Sequence, residues 1–244
     1  MSSYFKNTRA VPYKFGTSSE VTLHQDLSAY VDIVDQIRDN MNFYRKYHII
    51  DGERPDTLSY KLYGTTKYYW TFFMMNDSIR EGGWPLTNQE LIAYIQLERN
   101  NAVLTTRDEI FDKFFVGSTV TGLSSAATGK IIERRLDMGQ IIVAGANNFV
   151  SGEVITTTED EVLQSIQIVG AADEKDAVYQ YESEEGVRAD FDVYTGPGAL
   201  LSAVSFSDFY TRQNNANKDI VVLKKDVIAR VFQDFQSGMK KRNG

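Results

Sequence analysis

The chain has no cysteine and only two histidines, His24 and His48, among 244 residues. Without thiols there is neither a disulfide framework nor thiolate chemistry, and two histidines cannot build a His-rich zinc site or a His-Glu-x-x-His helix. No serine stands in a Gly-x-Ser-x-Gly turn. Positive charge is also short. The 26 Lys and Arg against 33 Asp and Glu leave a net charge of −7, which argues against the clustered cations of general phosphate-backbone binding, so no nucleic-acid partner is expected. No run approaches about 18 apolar residues, and Met1 to Lys6 lacks the apolar core of a signal peptide. A soluble chain with no membrane partner is expected. What is present is an apolar content of 42%, enough to bury a core in one or two domains.

Two chemical motifs fail on inspection. Gly122 to Lys130 has the look of a phosphate loop, but six residues separate Gly122 from Gly129 where four are needed, and Ile131 replaces the magnesium-binding hydroxyl. Carboxylates such as Glu153, Asp160 and Glu184 are abundant, yet no spacing pairs them for acid and base work, and they read as a solvated face. No catalysis, metal or cofactor is expected.

The stretch around which the chain is organised runs from Gly52 to Asn76. Pro55 suits a first helical position, with Asp56 and Thr57 in the first turn. Leu58 and Leu62 share a helical face, and Gly64 stands where a left-handed residue stops a helix. Thr65 or Thr66 caps a second helix, in which Tyr69, Trp70, Phe73 and Met74 repeat at helical spacing, and Asn76 follows as a second stop. Before it, Phe43 to Ile50 reads as a strand ended by Asp51-Gly52.

This pattern resembles the LysM fold, a strand, two helices and a second strand. More particularly, Arg54-Pro55-Asp56, Leu58, Tyr63-Gly64, Tyr69-Trp70 and Asn76, followed by Trp84-Pro85-Leu86-Thr87, is similar to the LysM-like segment of the baseplate wedge subunit 53 family of contractile-tailed, T-even-type bacteriophages. The resemblance covers roughly residues 40 to 100. It implies a virion protein of the tail baseplate, assembled in the host cytoplasm, that joins or clamps neighbouring wedges. Its implied partners are other wedge subunits and the sheath-initiating protein, in a hetero-oligomer of hexagonal symmetry. The LysM likeness alone implies the alternative, a module that binds peptidoglycan as an N-acetylglucosamine polymer.

The flanking sequence falls into further parts. Residues 1–43 read as an extended arm, with Pro12 and Gly16, followed by an amphipathic helix from Leu27 to Met41. Residues 44–104 hold the LysM-like domain, a loop from Arg80 to Gly83, and a helix that Thr87 and Glu90 open as a capping box. Val103 to Phe114 fits either a short helix or a connector. Residues 105–165 have short Val, Ile and Thr runs punctuated by glycine, including 129–136 and 140–144, as in a small antiparallel barrel or sandwich. Within them Phe115-Val116 with Val120 is echoed by Phe149-Val150 with Val154, which suggests two equivalent strands. Residues 166–244 form an α+β segment: a strand at 177–181, a loop at Gly196-Pro197-Gly198, a strand at 219–223, and a helix capped by Asp226 with Val227, Ile228, Val231, Phe232, Phe235 and Met239 in one stripe. The fold class expected is therefore α+β: a LysM-like βααβ unit with an N-terminal arm and helix, a small antiparallel β module, and a C-terminal strand plus helix.

Seven aromatic residues lie between Tyr60 and Phe73: Tyr60, Tyr63, Tyr68, Tyr69, Trp70, Phe72 and Phe73. A unit this small has much surface relative to its core, so some rings are expected to meet a partner. The interface candidates are Tyr60, Tyr68, Trp70, Phe72, Trp84, Val231, Phe232 and Phe235. Of these, Trp70 also suits a core position, and Tyr68 and Trp84 suit a partner-facing one.

Overall fold

Asp51-Gly52 ends a strand and Pro55 starts a helix, as their backbone preferences require. In the computed structural model, which describes residues 10–14, 21–25, 42–145, 147–159 and 161–243, these joints organise a mixed α+β chain that divides into two units. One comprises 1–87 with 214–244, the other 88–213. The helix expected from Leu27 to Met41 lies outside the described residues.

In the first unit, β1 (Ala10–Tyr13) and β2 (Thr22–Gln25) pair antiparallel as a hairpin. After β3 (Tyr44–His48) comes α1 (Pro55–Tyr63), whose first turn is closed by Thr57, its hydroxyl accepting from the Arg54 amide at 3.1 Å. Gly64 ends the helix at φ 75°, a left-handed conformation that glycine adopts without steric cost, and its amide returns to the Tyr60 carbonyl at 2.8 Å. Thr65 then caps the 3-10 turn Thr66–Tyr68 by accepting from the Lys67 amide. The next helices are α2 (Trp70–Met75) and α3 (Asp77–Gly82). The second corrects the expected loop at Arg80–Gly83. Ile79 is fully buried and Arg80 reaches Asp77 one turn back at 3.0 Å, so a helical turn is held from both faces.

The strand that pairs with β3 comes from far along the chain. It is β12 (Asp219–Leu223), antiparallel to β3 with Val221 opposite Lys46, and α6 (Lys225–Asn243) follows it. Ile228, Val231 and Phe235 recur at helical spacing on α6 and enter one core with Leu58, Tyr63, Trp70, Phe72, Met75 and Ile79. Trp70 meets Phe235 at 4.7 Å between ring centroids, and the Tyr63 hydroxyl donates to the Leu223 carbonyl at 2.9 Å.

In the second unit, α4 (Asn88–Glu98) precedes a closed barrel of six strands: β4 (Ala102–Thr106), β5 (Thr119–Gly122), β6 (Thr128–Arg135), β7 (Gln140–Val143), β8 (Val154–Glu159) and β9 (Val162–Asp173). Their order around the barrel is β4-β7-β6-β5-β8-β9, every pair antiparallel, so no strand edge is left open. Leu104, Val120, Ile131, Ile141, Val143, Ile155, Ile166 and Ile168 fill the interior with Ile110, Phe114 and Phe149. β10 (Val178–Glu182) and β11 (Ser202–Ser205) form a separate hairpin leading into α5 (Phe206–Ala216). Phe206 and Ala177 cover Val103 and Ile142 outside the barrel. Thus β4 and β7 are buried on both faces, and the stretch from Val103, open between helix and connector, begins as a barrel strand.

The echo of Phe115 and Phe149 holds at the strands but not at the rings. Val120 and Val154 lie on β5 and β8, which pair with each other, whereas Phe149 is 8% exposed and Phe115 46%. The core ring of the first copy is Phe114, held at φ 58°.

Candidate interaction surfaces

Burial sorts the eight interface candidates. Trp70, Phe72, Val231 and Phe235 belong to the core of the first unit, and Phe72 has no exposed surface. Tyr68 and Phe232 are half-buried and meet edge to face at 5.4 Å between centroids. Trp84 is half-buried too, packed on Phe73 at 5.8 Å, with its indole N–H donated to the Glu53 carbonyl at 2.7 Å. Tyr60 stands out from α1 at 65% exposure. The surplus of rings is smaller than the sequence suggests because β12 and α6 enlarge the core that receives them.

Beneath this loop the Glu53 carboxylate accepts from the Tyr47 hydroxyl at 2.9 Å and from the Lys61 ammonium at 3.0 Å, while Lys61 also donates to the Tyr47 oxygen at 2.8 Å. Hydrogen bonding to Tyr47, then to Glu53, holds Lys61 above the usual lysine range. The network fixes the turn between β3 and α1, and Trp84 closes over its backbone.

The hairpin β1–β2 is a surface of a different kind. Of its described side chains only Val11 is partly covered; Tyr13, Val21 and Leu23 are exposed at 54%, 62% and 74%. The sequence signal was present as an arm with scattered aromatics, but not the pairing.

Two surfaces on the second unit lay outside the sequence candidates. At one end of the barrel, Glu159 accepts from the Phe114 and Phe115 amides and the Ser118 hydroxyl, tying that segment to the β8–β9 hairpin. Phe115, Val116, Val162 and Leu163 lie around this junction with 46% to 68% of their surface exposed. Elsewhere a groove of about 430 Å³ is lined by Asp108, Glu109, Phe111, Leu136, Asp192 and Tyr194 among others. Its carboxylates are engaged: Glu109 accepts from the Tyr194 hydroxyl and the Phe111 amide, which lowers its pKa, and Asp192 caps the Tyr194 amide.

Among the described residues no group of three or more His, Cys, Asp or Glu is placed to hold a metal ion, and no helix is long and apolar enough to cross a membrane. No curated protein matches the chain. Residues 16–108, from the arm through the α1–α2–α3 region to β4, match the family model described as base plate wedge protein 53. Over that stretch, which is less than half of the 244 residues, the chain is similar to base plate wedge protein 53.

Proposed function

We propose that this protein joins neighbouring wedges of the baseplate through protein–protein interfaces, without catalysis, and that its partners are other wedge subunits and the sheath-initiating protein in a hexagonal assembly. The observation that carries the reading is the apolar surface of the β1–β2 hairpin, where Tyr13, Val21 and Leu23 are each more than half exposed. Tyr60 and the barrel-end cluster of Phe115, Val116, Val162 and Leu163 add apolar surface of the sort that anchors interfaces. In this reading β3, α1, α2 and β12 are a LysM-like βααβ unit whose second strand is supplied after the intervening barrel unit in the sequence. Trp84 and Thr87 pack over the Gly52–Glu53 turn, so the loop that a glycan would approach is covered by the chain itself, which favours the structural role over peptidoglycan binding.

The test is co-expression with the other wedge proteins of the same phage, followed by size-exclusion chromatography. The intact chain enters the wedge complex, and a variant lacking residues 1–25 folds but is left out. Equal incorporation of both variants removes the arm from the reading. Saturable retention on purified peptidoglycan, with no incorporation into the complex, replaces the reading with the glycan-binding one.

A further inference from the structure

We propose that the free edge of β3 is a strand-addition site that takes an extended, acidic segment of a neighbouring protein; this deepens the wedge-joining reading by naming the chemistry of one partner. The argument starts from the register. The Ile49 amide bonds to the Lys218 carbonyl and the Lys224 amide to the Phe43 carbonyl, which fixes Arg45 and Tyr47 as the β3 residues that exchange hydrogen bonds with β12. Tyr44, Lys46 and His48 therefore turn their amides and carbonyls away from β12. Those three donors and three acceptors have no partner among the described residues. Lys46 and His48 are exposed.

The opposite edge is treated differently. On β12, Val221 gives its amide to Asn76 and receives the Asn76 side-chain N–H, while Tyr63 donates to the Leu223 carbonyl. At Val221 and Leu223 one edge of the two-stranded sheet is thus closed by side chains, while among the described residues the other is left open, the arrangement that strand addition uses.

Charge selects the occupant. The strand reads Tyr44-Arg45-Lys46-Tyr47-His48, with Arg45 and Lys46 both exposed. A second copy pairing antiparallel through the same edge, in the register centred on β3, would set Lys46 against Lys46, a like-charge pair that opposes association. An acidic residue opposite Lys46 has its complement within reach instead. The incoming side chains on that face would lie beside an open groove of about 540 Å³ lined by Lys46, His48, Asn76, Asp219 and Val221.

The experiment is residue-resolved amide hydrogen exchange on the full chain, with a synthetic peptide Thr-Glu-Val-Glu-Val-Glu-Thr as probe. In the chain alone, Tyr44, Lys46 and His48 exchange fast while Arg45 and Tyr47 are protected. Saturating peptide slows Lys46 and His48 by about tenfold, the protection given by about 90% occupancy. The same peptide with Lys for Glu, or N-methylated at alternate amides, leaves the rates unchanged. Lys46→Pro removes an outward donor and no bond to β12, so it abolishes the protection while Tyr47 stays protected; if that variant unfolds, Lys46→Glu reports the charge preference instead. Protection of Lys46 in the lone chain, equal protection by the Lys peptide, or self-association that protects these amides overturns the proposal. Incorporation into the wedge complex with β3 exchange unchanged also overturns it and leaves the wedge-joining role standing. Peptide protection without incorporation does the reverse.

Discussion

Asn76 and Val221 are joined as a residue pair in a sheet would be, although one is a side chain at the end of α2 and the other lies on β12. The Asn76 amide group donates to the Val221 carbonyl at 2.8 Å and its oxygen accepts from the Val221 amide at 2.7 Å, while the same N–H₂ reaches back to the Phe72 carbonyl at 2.8 Å. One side chain thus ends a helix and closes a strand edge.

Asn76→Ala leaves both Val221 groups without a protein partner. Each lost hydrogen bond is worth about 1 kcal/mol net and more where the orphaned group is shielded from water, so a loss of about 2–3 kcal/mol is expected in urea unfolding. Asn76→Asp should destabilise at least as much at neutral pH, because carboxylate oxygens then face two carbonyls. An Asp variant as stable as the parent would mean that the N–H₂ bonds to Phe72 and Val221 contribute nothing.

The ends of α1 and α2 were legible because they are written in single residues: Pro55, Gly64 and Asn76 each act locally, whatever lies beyond them. The strand at 219–223 was legible too, but its pairing with β3 was not. His48 and Asp219 are 171 positions apart, and no local pattern encodes such a register. Without β12 and α6 in the core, the aromatic cluster looked too large for its unit, which is why Phe72, Val231 and Phe235 stood among the interface candidates and Trp70 suited either place. Two helices escaped for other reasons. α3 is a short polar run with one buried residue, Ile79. α5 lies in a stretch, Gly198 to Asp219, to which the sequence reading gave no element, although Phe206, Phe209 and Tyr210 stand at helical spacing.

Gly139 turns β6 into β7 at φ 61°, where an L side chain is strained, and a Cβ there would lie 2.5 Å from the Thr106 carbonyl oxygen and 2.5 Å from a Val193 methyl. The Gly139 carbonyl also accepts from the Thr106 amide at 2.8 Å. Gly139→Ala therefore forces apart the backbones that meet at this turn. A loss of about 1–3 kcal/mol is expected, with Tm lowered in calorimetry and Gly145→Ala, where a Cβ meets open space, costing less. Equal effects at the two glycines would show that φ alone matters.

Glu153, 5% exposed, holds the turn after β5: its carboxylate accepts from the Ser124 and Ser125 amides, the Ser125 hydroxyl and the Val150 amide. Burial pushes its pKa up, but the bonds from Val150 and Ser125 outweigh burial and leave it below the usual carboxylate value. A carboxyl whose folded pKa is depressed adds stability above its unfolded pKa and loses that contribution as pH falls through the folded one. The barrel unit is thus expected to weaken on acidification below about pH 4, the unfolded value for Glu. Glu153→Gln should lower stability at pH 7 by about 2 kcal/mol and flatten the acid limb, so that the two proteins converge at low pH. Parallel pH profiles would exclude Glu153 as a source of that dependence.

Tyr60 and Phe72 test whether burial separates folding from assembly in the aromatic cluster. Phe72 has no exposed surface and packs on Tyr63 at 6.1 Å and Trp84 at 6.0 Å between ring centroids. Phe72→Ala should cost about 3–5 kcal/mol by opening a cavity in that core. Tyr60, on the same cluster in sequence, is 65% exposed, and Tyr60→Ala should stay within about 0.5 kcal/mol of the parent in urea unfolding. If the exposed ring anchors a neighbouring wedge protein, Tyr60→Ala weakens co-purification while the melting curve is unchanged. A Phe72 variant that instead retained its stability would remove the core on which every assignment of surface in this unit is built.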